Sequence, residues 1–500
     1  MDTLAGLFGF QREAVDKLVD QPDVIVADDM GLGKTVEAIA LDDERRRRLP
    51  TLPNGAHART LVIAPMSLLS SWADHFKTWQ PNLKVTVIDR KNRFLFEMAV
   101  KAGKYDVYIM HWDVVRLVSV IKEVSWFHVI ADESHRIGSR DAQVTHHAKK
   151  IPRRYLTQLT GTPCTARPEQ FWSLLNWSKP KVFTSYWRFF NYHVVHQDHA
   201  ANGNCLVPGC GKFHKTGFKV IVGIRHEDEL LDAIEPYYVR RLKEDVLEDL
   251  PDKYYTEIKV DLHPNQRRVY NEMRDDTLAW VGQHQDEPLA AAAIVAKLVR
   301  LQQFACAYAK LETVTVRRRG ILPGEYFDEE QKKVRLIEPS SKLDAVMEIL
   351  DANPERQFVV FSQSKQVINL LAVRLAKAQI SHGLLTGDTP QEIRGPMVHA
   401  FQQGRLRIFC GTIGAGGEGI TLTAASTVIF LDRSWSPARN RQAEDRLHRI
   451  GQKNAVQVID IVATDTVDRG KLQKLEQSWQ FIKKLLGDRD AKVKPEGAYV

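Results

Sequence analysis

Cysteine is scarce. Five residues in 500 (Cys164, Cys205, Cys210, Cys306 and Cys410) are too few and too odd in number for a disulfide framework, and they point to a reducing compartment. Long apolar runs are missing as well. Nothing approaches the roughly 18 consecutive apolar residues of a membrane span. The N-terminal stretch MDTLAGLFGF has no basic region ahead of a long apolar segment, so no secretory signal is expected. Low-complexity tracts and short internal repeats are absent too.

What is present is a globular balance, 44% hydrophobic and 26% charged, over a length that suits two or three domains. The net charge of +8 and a pI near 9.0 favour a polyanionic partner without identifying one.

Short apolar runs alternate with helix-like stretches from residue 24 to 163: Val24 to Ala27, Leu61 to Ala64, Val85 to Ile88, Val107 to Met110, Val129 to Ala131 and Tyr155 to Leu159. This rhythm predicts a parallel sheet covered by helices, an α/β lobe. It returns after residue 341 with Phe358 to Phe361, Ile408 to Cys410, Val428 to Leu431 and Val456 to Val462, a second lobe. The expected division is 1–235 for the first lobe, with a Cys/His-containing insertion near 164–225, then a linker and helical insertion over 236–340, then 341–500. Helical patterns fall near Pro264 to Gln283 and Leu289 to Tyr308. Thr313 to Glu338, rich in charge and holding Pro323 and Gly324, reads as an exposed loop or linker. Thr466 to Leu486 has the spacing of a helix that packs back across the lobes.

Two segments carry chemistry. After the first strand come Asp28, Asp29, Met30, Gly31, Leu32, Gly33, Lys34 and Thr35, then a helical continuation. The glycines let backbone N–H groups close around phosphate oxygens at a helix N-terminus, Lys34 neutralises the outer phosphates, and the Thr35 hydroxyl can hold Mg²⁺. Asp28 stands where the strict phosphate-loop pattern has glycine. About 100 residues on, an apolar strand ends in Asp132 and Glu133. Asp132 is expected to hold the same Mg²⁺ and Glu133 to polarise the attacking water.

These segments resemble the Swi/Snf-type ATPases of helicase superfamily 2. The resemblance runs through DDMGLGKT (28–35), LVIAPMSLLSSW (61–72), DESHRI (132–137), LTGTP (159–163), RRLKEDV (240–246), GTIGAGGEGITLTAAS (411–426) and QAEDRLHRIGQ (442–452). It implies two RecA-like lobes, ATP and Mg²⁺ as ligands, and double-stranded DNA held by its phosphates with little base specificity. It also implies that Gln11 reads the adenine edge and that Arg446 and Arg449, three apart on an expected helix, are arginine fingers. Gly417, Glu418 and Gly419 join the nucleotide contacts. Thr160, Gly161, Thr162, Thr412, Gly416, Thr421 and Trp435 are expected to touch DNA or couple it to ATP, although a packed core role suits Trp435 equally. The QAEDR variant resembles the compact annealing-helicase branch and small bacterial or phage motors more than nucleosome remodellers. The protein is expected to be nuclear in a eukaryote, cytoplasmic or nucleoid-bound otherwise.

The function that follows is a DNA-stimulated ATPase moving along duplex DNA without processive strand separation. A strand-separating helicase of the same superfamily and a nucleotide-binding scaffold are the alternatives. His199, Cys205, Cys210 and His214 could close a small zinc loop, but their intervals match no standard finger, and an unliganded loop is the preferred reading. Arg45 to Arg48, after Asp42, Asp43 and Glu44, read as a solvated helix end.

Overall fold

A computed structural model of the chain describes residues 3–49, 58–88, 93–163, 168–199, 203–204, 213–214, 218–247, 249–283, 290–319, 326–416 and 420–486. The apolar runs form two parallel sheets. The first has seven strands in the order Tyr238–Val239, Asp23–Val26, Arg153–Leu159, Trp126–Asp132, Thr60–Ala64, Val107–His111, Val85–Ile88. The second has six, in the order Lys253–Val260, Val456–Ala463, Thr427–Phe430, Phe358–Ser362, Ile408–Thr412, His382–Leu385. Central strands such as Thr60–Ala64, Val107–His111 and Trp126–Asp132 are buried along their whole length. Helices cover both faces of a parallel sheet, and continuous rather than alternating hydrophobicity is the result. In the second sheet, Phe358 and Val360 face one apolar core while Val359 and Phe361 face another, the period-two alternation of a strand sandwiched between helix layers.

The register decides where the chemistry lies. Val26 pairs with Leu159, which pairs on its other side with Asp132. Three strands therefore end abreast, and the segments that leave them (27–34, 133–137 and 160–163) crowd one edge of the first sheet. Ligand crevices form at this carboxyl edge in open α/β sheets.

Several expectations are corrected. The segment Thr313 to Glu338 is not a loop: Tyr308–Arg319 and Tyr326–Ile337 pair antiparallel as a two-stranded ribbon. Its dense charge masks the alternation that normally announces a strand. The first sheet takes in Tyr238–Val239, beyond residue 235, and the second takes in Lys253–Val260 from the stretch read as linker. Both lie at sheet edges, where a strand of two residues or one rich in charge gives little apolar signal. Helices span Pro264–Gln283 and Ala290–Cys306, close to the periodic patterns.

Arg45 does not sit on a solvated helix end. It is buried, and its guanidinium donates to the carbonyls of Leu18 and Gln21 and to Thr157 Oγ1. The helix Lys34–Arg48 turns that face onto the sheet. Arg47 and Arg48 do pair at i, i+4 with Asp43 and Glu44 near the surface.

The C-terminal helix Val467–Leu486 touches both lobes. Asp468 near its start pairs with buried Lys342 at 2.6 Å, and Leu486 at its end joins the first lobe's core. Within the Cys/His insertion, Val194–His199 pairs with Phe218–Ile224 and Gly203–Asn204 with Phe213–His214. His199 and His214 lie on those strands, whereas Cys205 and Cys210 fall outside the described residues. Among the described residues no helix is long and apolar enough to cross a membrane, and no His, Cys, Asp and Glu group forms a metal cluster.

Candidate active site

The phosphate loop is built on two left-handed glycines, Gly31 at φ 88° and Gly33 at φ 86°, the latter capping the helix that begins at Lys34. A side chain is strained at both positions by the backbone conformation alone. A Cβ at Gly31 would come within 3.0 Å of Arg449 Cβ, and one at Gly33 within 2.4 Å of Gln11 Nε2. Lys34 Nζ donates to the loop carbonyls of Asp28 (2.7 Å) and Asp29 (3.0 Å). Met30 and Leu32 are buried beneath the loop, and Thr35 stands in the first helical turn.

Asp28, which departs from the phosphate-loop pattern, has a structural reason. It is fully buried and bonds the Arg241 backbone N–H at 3.0 Å and the Arg241 guanidinium, which also pairs with Glu37. Arg240 donates to the Ala27 carbonyl at 2.7 Å. The RRLKEDV segment thus props the phosphate loop from below. Arg240 and Arg241 were missed as individual contributors, and the one local hint was the acid at position 28.

Gln11 is buried. Its amide donates to the Leu32 carbonyl at 2.8 Å, and its oxygen accepts from Phe8 N at 3.0 Å. In this state it braces the loop, and both ends of the amide that would read adenine already hold a partner.

Asp132 accepts from Trp72 Nε1 at 2.8 Å and from Glu133 N at 2.9 Å, while Trp112 Nε1 donates to the Asp132 carbonyl at 2.8 Å. Burial, and then the charge of Glu133, push the Asp132 carboxyl up to about 6. Burial would raise Glu133 too, but His135, Lys34 and Arg446 outweigh it and hold that carboxyl below its usual range. The pair is thereby split, with Glu133 the more readily ionised, which suits separate roles for two adjacent acids. Glu133 sits at φ 50°, a left-handed conformation uncommon outside glycine. His135 Nδ1 lies 3.2 Å from Glu133 Oε2 and 3.3 Å from Thr160 Oγ1.

Thr160 and Thr162 are buried, and the Thr160 hydroxyl accepts from Thr162 N at 3.1 Å. A direct contact of these hydroxyls with a DNA backbone is not available in this state. Gly161 lies against Met30 and Lys34, where an added Cβ would meet the Met30 chain at 2.6 Å, so the LTGTP turn leans on the phosphate loop.

The second lobe closes over this edge. Gln442 Nε2 donates to Glu133 Oε1 at 3.2 Å. Lys243, in the connection between the sheets, is buried and donates to Asp445 Oδ1 and to the His448 carbonyl, both at 2.7 Å. Arg446 and Arg449 do not lie on one helix face as expected. The helix Pro437–Glu444 ends before them, and where the chain turns Leu422 N donates to the Arg446 carbonyl at 2.9 Å. The two side chains nevertheless converge on the Ile420 carbonyl, at 3.4 and 3.3 Å, and Arg449 also donates to Thr421 Oγ1 at 2.9 Å.

Thr421 lines a cleft of about 800 Å³ between the lobes, facing Ser67, Ser70 and Ser71. Thr412 Oγ1 accepts from Ala415 N at 3.4 Å, and Gly416 ends the short helix Ile413–Gly416. Gly417, Glu418 and Gly419 lie outside the described residues. Trp435 is half-buried, with Lys471 Nζ 4.5 Å from its ring centre.

A family model for the SNF2-related domain matches residues 10–309, and one for the helicase conserved C-terminal domain matches 341–451. The chain belongs to the SNF2-related family. Relatives of this SNF2-related chain include the nuclear protein STH1/NPS1 of Saccharomyces cerevisiae, 28% identical over 91% of this chain and 32% of that protein. An uncharacterized ATP-dependent helicase of Mycoplasma pneumoniae is 29% identical over 92% of this chain and 40% of its own length. The human SWI/SNF-related matrix-associated actin-dependent regulator of chromatin subfamily A member 1 is 29% identical over 90% and 40%. The SNF2-related chain thus spans about a third to two fifths of the length of these relatives. Among solved structures, the Sulfolobus solfataricus SWI2/SNF2 ATPase core in complex with dsDNA is 22% identical, with a TM-score of 0.43 over 97% of this chain and 94% of that one.

Proposed function

We propose that the chain is an ATP-driven motor that moves along double-stranded DNA without processively separating its strands. The observation that carries this reading is the meeting of the lobes over the phosphate loop, with Arg449 against Gly31 and Gln442 on Glu133. Hydrolysis at such a seam couples to opening and closing, whereas a scaffold with a degenerate site would have no use for the intact set Lys34, Thr35, Asp132, Glu133, Arg446 and Arg449.

The residues fit ATP and Mg²⁺. The left-handed glycines leave the helix N-terminus open to phosphate oxygens. Each Asp132 oxygen keeps a lone pair beyond its present bond, so Asp132 and Thr35 would hold Mg²⁺, which supplies neutralising charge to the phosphates. Glu133 would orient the attacking water. Lys34 would leave its loop carbonyls for the outer phosphates, and Arg446 and Arg449 would leave the Ile420 carbonyl for the γ-phosphate. Gln11 would exchange one of its partners for the adenine edge.

Duplex DNA would lie along the cleft lined by Ser67, Ser70, Ser71 and Thr421, with Thr412 and Gly416 close by and Thr160 to Thr162 relaying its presence to the phosphate loop. Contacts to phosphates carry little sequence information. The names of the relatives, which include ATP-dependent helicases and a regulator of chromatin, support the same chemistry. Within the family, the QAEDR segment favours the compact annealing-helicase or bacterial and phage branch. The proposed division keeps two lobes joined by the 236–340 segment, each lobe recruiting one edge strand from it.

The test compares ATPase stimulation by duplex and single-stranded DNA, alongside displacement of a third strand from a triplex. Stimulation by duplex and ATP-dependent triplex displacement are expected. Efficient release of a labelled strand from a tailed duplex while the triplex survives would replace this reading with a strand-separating helicase.

A further inference from the structure

The ribbon formed by Tyr308–Arg319 and Tyr326–Ile337 has no part in the nucleotide site, and its shape and charge call for a partner. Twelve pairs in unbroken register give it a length of about 40 Å, close to one turn of a DNA duplex. It is anchored at one end only. Ala309 and Leu336 are buried there, and Gln366 of the second lobe bonds Leu336 N at 2.8 Å and the Val334 carbonyl at 3.1 Å. Further out, Thr313, Val314 and Thr315 are all exposed. Successive residues of a strand point to opposite faces, so both faces of the ribbon stand open. On the other strand Phe327, the register partner of Arg318 near the far end, is 51% exposed.

Among the described residues no third strand pairs with the ribbon, and a two-stranded ribbon is marginal in water by itself. Its composition shows which partner suits it. The two strands hold seven basic residues against four acidic ones, a net of +3 where the whole chain has +8 over 500 residues. Three of the seven, Arg317, Arg318 and Arg319, are consecutive at the far end, where their register partners Asp328, Phe327 and Tyr326 include a single acid. A narrow arm, open on both faces beyond its base, with a net positive charge and three consecutive arginines at its tip, is complementary to a groove flanked by phosphates. A two-stranded ribbon is also one of the shapes that the major groove of duplex DNA admits.

We propose that this ribbon is a DNA-contacting arm of the second lobe, which lays its arginine-bearing end against the phosphates of the duplex outside the cleft between the lobes. The proposal rests on the reading of the chain as a duplex motor and adds a second point of attachment to it. An arm of this kind would keep the second lobe on the duplex while the cleft opens.

The experiment measures binding of a fluorescent duplex to the whole chain across a salt series, for the parent and for a variant with Arg317→Ala, Arg318→Ala and Arg319→Ala. The DNA-free ATPase rate, to which none of the three contributes, reports that the variant is folded. Loss of three phosphate contacts should lower the slope of log affinity against log salt by about 2 to 3 and weaken binding roughly tenfold or more, equally for duplexes of unrelated sequence. Independently, a benzophenone amino acid in place of Phe327 should cross-link to the duplex on irradiation. Unchanged affinity and slope together with no cross-link, in a protein whose parent binds duplex, would overturn the arm while leaving the motor intact. Cross-linking of that position to a protein instead of DNA would also overturn it. A parent that neither binds nor responds to duplex removes the motor reading, and the arm with it.

Discussion

Gln442 of the second lobe donates a 3.2 Å hydrogen bond to Glu133 of the first, across 309 positions of sequence. The carboxamide therefore takes one acceptor site of the Glu133 carboxylate and ties the second lobe to the residue that would orient the attacking water, while the remaining lone pairs stay open to that water.

Glu133→Gln is expected to lower kcat by about 10³ or more while leaving ATP and DNA affinity within about threefold, because it removes the charge that polarises water and no phosphate contact. Single-turnover hydrolysis beside equilibrium binding checks this. Hydrolysis near the parent rate would take Glu133 out of the reaction.

Arg446→Ala and Arg449→Ala should each reduce turnover by about 10³, as removal of an arginine finger does. Thr421→Val, which deletes the hydroxyl that Arg449 bonds at 2.9 Å, should have a much smaller effect, since that bond is released when Arg449 turns to phosphate. Steady-state kinetics with saturating duplex distinguish the two. If the arginine variants change only DNA affinity, their role is in backbone contact.

Lys243→Met takes from buried Asp445 its 2.7 Å ion pair while Arg441, Lys253 and Arg449 remain near, at a cost of about 1.5–3 kcal/mol to the docking of the lobes. The variant should be more extended in small-angle scattering and slower in ATP turnover. Adding Asp445→Leu should recover much of the compactness, since a buried ion pair replaced whole by apolar groups is often neutral. An unchanged scattering profile in the single variant would show that closure does not depend on this bridge.

His128 supplies a pH prediction. Its Nδ1 lies 2.9 Å from Asp42 Oδ1, and its Nε2 faces the Arg45 guanidinium at 3.0 Å, so the ring is neutral and carries its proton on Nδ1. Burial, with the Arg45 charge against the opposing effect of Asp42, pushes it down to about 4. The unfolded chain then binds more protons between pH 6.5 and about 4, so this contribution is complete above 6.5 and is lost as pH falls through that window. Stability should drop on acidification by up to about 1.4 kcal/mol per pH unit from this group, read as a falling thermal midpoint. His128→Asn should be less stable at neutral pH with a flatter acid limb. An equally steep limb would assign the loss to other groups.

Much of this architecture is legible in the sequence, for a definable reason. Strands such as Asp23–Val26 and Trp126–Asp132 are buried along nearly their whole length, so they read as unbroken apolar runs, and their ends carry the phosphate loop and the acid pair. What escapes detection is whatever depends on a distant partner. Asp28 reads as a departure from a pattern until Arg241 is seen beneath it, 213 residues away. Arg45 reads as surface because its partners are carbonyls, which no sequence displays, and the side chains of His128 and Thr157 from distant strands. The ribbon strands Tyr308–Arg319 and Tyr326–Ile337 are open on both faces beyond Ala309 and Leu336, and their dense charge masks the hydrophobic alternation by which strands announce themselves.

The helix Val467–Leu486 is held in the second lobe at Asp468 and in the first at Leu486. Twenty helical residues span about 30 Å, and a helix does not stretch. For as long as both anchors hold, the lobes cannot simply draw apart along that line. Their freedom is reduced to a swing about a strut of fixed length, and the geometry of a stroke is set by the lever arm from that strut to the cleft rather than by how far the cleft can gape.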